Sequence, residues 1–268
     1  VEGLSEFNVE QTYDSTELQW KLMQWPYTIT KICDECSVTI AMLTSRMKKV
    51  ISRETRVLDD AVKQLRVEAN KFRKVGGLER VDLVAGEAAS MQGRLENAND
   101  KAQELIQREL YLDETPNDFM ELGSVMRNFL PFFQLWTSLS DALADIKTWK
   151  KSSLWVLDTT DISAKVSKWN EETQSLLHYF QKERIRDPKT VAEFFGQTVT
   201  EFLLQLPLIT TLRDSALQPR HWVEIAEIIG FAISPDTPLT LDFVISKESI
   251  HQIDKMQVVL ARATKEMA

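Results

Sequence analysis

An all-α chain is the fold class this sequence predicts, and three observations predict it. Only 8 Gly and 8 Pro punctuate 268 residues, about half the share of an average chain, so the elements are long. Apolar residues recur at alternating spacings of three and four, the period of one helix face. No segment sustains the period-two alternation of a half-buried strand. Hydrophobic residues make up 43% and charged residues 27%, the balance of a folded chain with a sizeable core. No apolar run reaches the ~20 residues of a membrane span.

Residues 1–30 read as an acidic approach segment. Glu2, Glu6, Glu10, Asp14 and Glu17 stand against Lys21 alone, and Trp20, Trp25 and Tyr27 around Pro26 predict an aromatic-anchored turn. Residues 31–114 read as an antiparallel helical hairpin. Its first stripe runs Ile32, Cys36, Ile40, Leu43, Met47, Ile51, Leu58, Val62, Leu65, Ala69 and Phe72. Gly76-Gly77 supplies the stop through a left-handed cap. The second stripe runs Val81, Val84, Ala88, Met91, Leu95, Ala98, Ala102, Leu105 and Leu112, with Glu109 as one polar member. Heptads of this kind fit coiled-coil pairing. Charge agrees: residues 46–74 hold ten basic and four acidic side chains, and residues 78–118 hold four basic and ten acidic. The hairpin is expected to bring residues near Lys63 beside residues near Gly93.

Residues 115–204 read as a helical bundle. Thr115-Pro116 opens a helix with the aromatic stripe Phe129, Phe133, Trp136, Leu139, Leu143, Ile146 and Trp149, kinked or split near Leu130 by Pro131. Asp161 caps the next helix, through Ile162, Val166, Trp169, Leu176 and Phe180. Asp187-Pro188 starts another, carrying Val191, Phe194, Phe195, Val199, Phe202 and Leu203, and Pro207 breaks it. In residues 205–268, Pro219 starts a short helix that ends at Gly230. Thr240 caps a last helical region from Leu241.

Sites of chemistry are scarce. Cys33 and Cys36 lack the further ligands a zinc centre needs and read as two small side chains on one helix face. Two cysteines make no disulfide framework and fit a reducing compartment. His178, His221 and His251 form no catalytic or metal-binding spacing, and no glycine-rich phosphate loop occurs. A net charge of −8 disfavours nucleic acid, anionic membrane and the acidic surface of a microtubule as direct partners. The chain starts at Val1 without a signal-peptide pattern and reads as an excerpt from a longer polypeptide.

One segment is specific. Residues 205–222 read Gln-Leu-Pro-Leu-Ile-Thr-Thr-Leu-Arg-Asp-Ser-Ala-Leu-Gln-Pro-Arg-His-Trp. This resembles the tail–linker junction of dynein heavy chains, a Leu-Pro-hydrophobic-Ile, then Leu-Arg-Asn-Pro-Ala-Leu, then Arg-His-Trp. Upstream, Phe129-Leu-Pro-Phe-Phe-Gln-Leu-Trp136 is similar to the family's Pro-Tyr-Phe-Gln-Leu-Trp helix. Downstream, Pro238-Leu-Thr-Leu241 and Ala263-Thr-Lys-Glu266 resemble its Phe-Thr-Leu and Ala-x-Lys-Glu segments, the last in axonemal style. Ser215 and Gln218-Pro219 depart from the family pattern.

The resemblance covers residues 105–268 and implies a mechanical role. Leu206, Pro207, Leu212, Arg213, Ala216, Leu217, Arg220, His221 and Trp222 are expected to form a structural junction, with no catalytic, cofactor-binding or metal residues. No cofactor is expected here; ATP and Mg²⁺ would belong to a downstream AAA+ ring of the parent motor. The implied partners are that ring and other dynein heavy, intermediate and light chains. The implied place is the ciliary axoneme, with the cytoplasm as alternative. A non-motor helical scaffold is the competing reading.

Overall fold

The computed structural model describes residues 13–231, 233, 239–246 and 249–267. Among them the chain is all-α, with one isolated antiparallel bridge between Ser153 and Thr240. It divides into two compact units, one of residues up to Asp60 with Asp100–Asp118, the other of Ala61–Asn99 with Phe119 onward. Helix α1 spans Tyr13–Lys71 and α2 spans Val81–Tyr111. Both helices contribute to both units.

In the first unit, Ile51 and Leu58 of α1 and Ala102 and Leu105 of α2 are buried. Lys48 pairs with Glu114, and Arg108 with Glu54 at 2.9 Å. In the second unit, Glu68 pairs with Arg94, over the buried residues Leu65, Ala69, Met91 and Leu95. The two residue numbers in each pair add to the same total, as they must between antiparallel neighbours. Arg94 lies across from Glu68, so Lys63 and Gly93 are neighbours along the hairpin, as expected, but offset and not face to face.

The turn explains the offset. After α1 the chain makes 3-10 turns at Phe72–Lys74 and Leu78–Arg80 before α2 begins, which moves the centre of the hairpin beyond the glycines. Neither glycine there adopts a left-handed conformation; among described glycines only Gly230 does, at φ 80°. A Cβ at Gly76 would sit 2.9 Å from the Cβ of Asp187. Close approach, and not a helix cap, therefore explains Gly76.

The proline breaks expected from sequence are absent. Pro26 lies inside α1, so no turn forms there, and Trp20, Trp25 and Tyr27 are exposed. Helix α3 runs unbroken over Met120–Lys151 through Pro131. It starts after Pro116, because the Glu109 carboxylate accepts from the backbone N–H of Asn117 at 2.7 Å and holds that stretch as a loop. Helix α5, Arg186–Leu212, continues past Pro207. An interior proline costs about 3 kcal/mol, and the burial of Leu208, Ile209 and Leu212 beyond it offsets that cost.

In the second unit α3, α4 (Thr159–Lys182) and α5 pack into a three-helix bundle. Asp158, and not Asp161, caps α4, accepting from the N–H groups of Thr160 and Asp161. Phe132, Leu135 and Ala142 are buried on α3 beside the expected stripe, whereas Phe133 and Leu143 are only half-buried. Trp149 stacks at 5.7 Å on Trp169 and 5.3 Å on Phe202, joining the three helices. Gly196 lets α5 approach α4, since a Cβ there would lie 3.2 Å from Thr173 Cγ2. Helices α6 (Pro219–Ile229), α7 (Leu241–Ser246) and α8 (Ile253–Met267) complete the unit. Thr240 caps α7 by accepting from the N–H of Phe243.

Candidate functional site: the junction motif

Helix α5 ends at Leu212, and the next six residues form a tight connection into α6. Asp214 shapes it, its carboxylate accepting from the backbone N–H of Ala216 at 2.9 Å. Ala216 and Leu217 are buried under this turn. The exposed guanidinium of Arg213 reaches back, Nε donating to the carbonyl of Leu157 at 3.1 Å. Leu212 is buried, Leu206 half-buried and Pro207 exposed. Leu208 and Ile209, part of the resembling segment but not among the expected junction residues, are fully buried.

Pro219 opens α6, where a missing N–H costs nothing. The backbone N–H of Gln218 donates to Nδ1 of His221 at 3.1 Å. That bond makes Nδ1 the acceptor and leaves the proton on Nε2, which lies 3.1 Å from the Glu266 carboxylate. His221 is 1% exposed, so both ring nitrogens need partners, and both have one. Arg220 pairs with the same carboxylate.

One turn further, Glu224 accepts from Arg262 at 3.0 Å. Arg220 and Glu224 on α6 thus meet Glu266 and Arg262 on α8, two opposite pairs in antiparallel order. Glu266 is the partner that sequence reasoning missed. Its signal was available: Arg-x-x-x-Glu occurs at 220–224 and again at 262–266, and antiparallel pairing of two such faces matches every charge.

Trp222 is buried and its ring meets Trp155 edge-on, with centroids 5.3 Å apart. Trp155 belongs to the 3-10 turn Leu154–Val156 between α3 and α4. Trp222 is thus anchored on the connection between those two helices. The N–H of Leu154 donates to the carbonyl of Leu239 at 2.8 Å, fastening that connection to the start of α7. The motif residues thus join the ends of α5, α6 and α8 to the α3–α4 turn.

Other candidates hold less. Cys33 and Cys36 are exposed and unbonded. Among described residues no group of His, Cys, Asp or Glu is arranged to hold a metal ion, and no helix is long and apolar enough to cross a membrane.

Comparison with known proteins agrees on a family. The family described as "Dynein heavy chain, N-terminal region 2" matches residues 122–268. Dynein axonemal heavy chain 12 of Homo sapiens is 21% identical over 252 residues, 92% of this chain and 8% of that protein. Dynein axonemal heavy chain 1 of Rattus norvegicus is 21% identical over 267 residues, all of this chain and 6% of that protein. Dynein axonemal heavy chain 3 of Mus musculus is 24% identical over 164 residues, 61% of this chain and 4% of that protein. The chain spans less than a tenth of the length of these relatives.

Proposed function

Since this chain belongs to the dynein heavy chain family, we propose that it is the tail-to-linker segment that carries motion from the motor. In this reading an AAA+ ring elsewhere in the parent polypeptide changes shape with ATP and Mg²⁺. This segment passes that movement on to microtubule sliding in the axoneme. Its partners are the ring itself and other heavy, intermediate and light chains. Microtubules, nucleic acid and membrane do not bind it directly, and no cofactor does.

The supporting observation is the construction of the junction. Glu266 is held by both Arg220 and His221, and Trp222 packs on Trp155. A hydrogen-bonded, close-packed joint cannot bend without losing contacts along its whole surface, which is what a lever requires.

The test is a comparison on the purified parent heavy chain carrying Trp222→Ala. Basal ATPase is expected to stay near wild type while microtubule gliding slows, because strain from the ring is absorbed at the loosened joint. Proportional loss of both activities, or no change in either with the segment folded, contradicts the reading.

A further inference from the structure

The loop that leaves α2 exposes a threonine–proline pair. Residues 114–119 carry no regular secondary structure, and Thr115 and Pro116 are exposed. Buried Glu109 pins the loop on both sides of that pair. Its carbonyl accepts from the N–H of Glu114 at 3.0 Å, and its carboxylate accepts from the N–H of Asn117 at 2.7 Å. Thr115-Pro116 is therefore held out from the surface. The following proline drives Thr115 toward an extended backbone, the shape in which a peptide lies in a protein kinase groove. The other pairs of this type, Ser234-Pro235 and Thr237-Pro238, lie outside the described residues.

The surroundings suit a phosphate. Thr115 lines a cleft together with Lys48, Thr55, Arg56, Glu109 and Glu114. Of its charges, Lys48 pairs with Glu114, and the Glu109 carboxylate is taken up by Asn117. Arg56 is exposed and makes no ion pair among the described residues. The hydroxyl of Thr55 is buried without a hydrogen-bond partner among them. The cleft thus holds an unengaged guanidinium and an unengaged hydroxyl, both donors that a phosphate takes up.

We propose that Thr115 is a phosphorylation site for a proline-directed protein kinase, and that Lys48 and Arg56 receive the phosphate. Oγ1 of Thr115 attacks the γ-phosphorus of the kinase's ATP. The new P–O bond forms as the bond to the β–γ bridging oxygen breaks, ADP leaves, and the hydroxyl proton passes to the kinase's catalytic carboxylate. The phosphate carries more charge than Glu114 and repels it, so it takes Lys48 over and turns Glu114 to solvent. The loop then bears on α1 through both cations. The site lies within the first unit and does not depend on the force-transmitting reading.

The experiment uses the 268-residue chain with Ser234→Ala and Thr237→Ala, which leaves Thr115 as its one proline-directed acceptor. Incubation with a purified mitogen-activated protein kinase and Mg²⁺-ATP should add a single phosphate, located on Thr115 by tandem mass spectrometry. Thr115→Ala should abolish its addition. In ³¹P NMR the phosphothreonine should titrate below the ~6 of an unpartnered phosphate, measured on a phosphorylated peptide of residues 111–119. Lys48→Ala with Arg56→Ala should move that midpoint back up to the peptide's. Both side chains are exposed, so helix content should hold in this variant. Absence of phosphate at Thr115, or a phosphate that titrates as in the peptide and ignores the double substitution, overturns the proposal.

Discussion

Trp222 and His221 show how a single position can be read from sequence while its partner cannot. A tryptophan in the first turns of a short amphipathic helix is a natural anchor, and Trp222 is buried. Its contact, Trp155, lies 67 positions earlier in a connection with no helical period to mark it. Truncating a buried tryptophan costs ~3–5 kcal/mol, so Trp222→Ala should lower the denaturant midpoint of this chain accordingly. A change within ~0.5 kcal/mol, the range of an ordinary surface substitution, would place the anchor elsewhere. Asp158 makes a second prediction at this scale. The Thr160 hydroxyl, then the N–H groups of Thr160 and Asp161, hold its carboxyl below the ordinary carboxylate value. A group depressed in the folded state stabilises above its unfolded pKa and loses that contribution as pH falls through the folded one. Carboxyl NMR titration should therefore give Asp158 a midpoint below that of an unstructured aspartate, and Asp158→Asn should remove the acid sensitivity of the start of α4.

Whole helices were legible where apolar period and burial coincide, as in α2, whose stripe from Val81 to Leu105 is buried throughout. Proline was the misleading signal. Pro26, Pro131 and Pro207 all sit inside helices, because a local rule about a missing N–H says nothing of the packing on either side. The hairpin turn was misread for a related reason: Gly76 answers to Asp187, more than a hundred residues away. Gly76→Ala should destabilise, since the Cβ would need Asp187 to move. Gly77→Ala should be neutral or stabilise by ~0.4–1 kcal/mol, because Gly77 has an ordinary φ of −79° and open space around its Cβ position. Thermal melts of the two variants should move apart. The register gives another test: spin labels at Glu68 and Arg94 should lie closer than labels at Lys63 and Gly93, whose offset adds ~9 Å along the axis at about 1.5 Å per residue.

At the scale of the molecule, composition alone conveyed the class, since 16 glycines and prolines in 268 residues leave room for little but long helices. Residues 205–222 carry the family resemblance, and they lie within the stretch 122–268 that matches the family. What sequence could not supply was how that junction is held, because Glu266, Trp155 and Leu157 meet the motif only after the chain has folded back. Transmission of force requires stiffness at this meeting point. It is tested most directly by the compliance of single parent motors, held on a microtubule without nucleotide and pulled in an optical trap. Motors carrying Glu266→Gln with Trp222→Ala should stretch measurably further per unit force than wild type while keeping their ATPase. Unchanged compliance in that double variant, with the segment shown to be folded, would contradict the account.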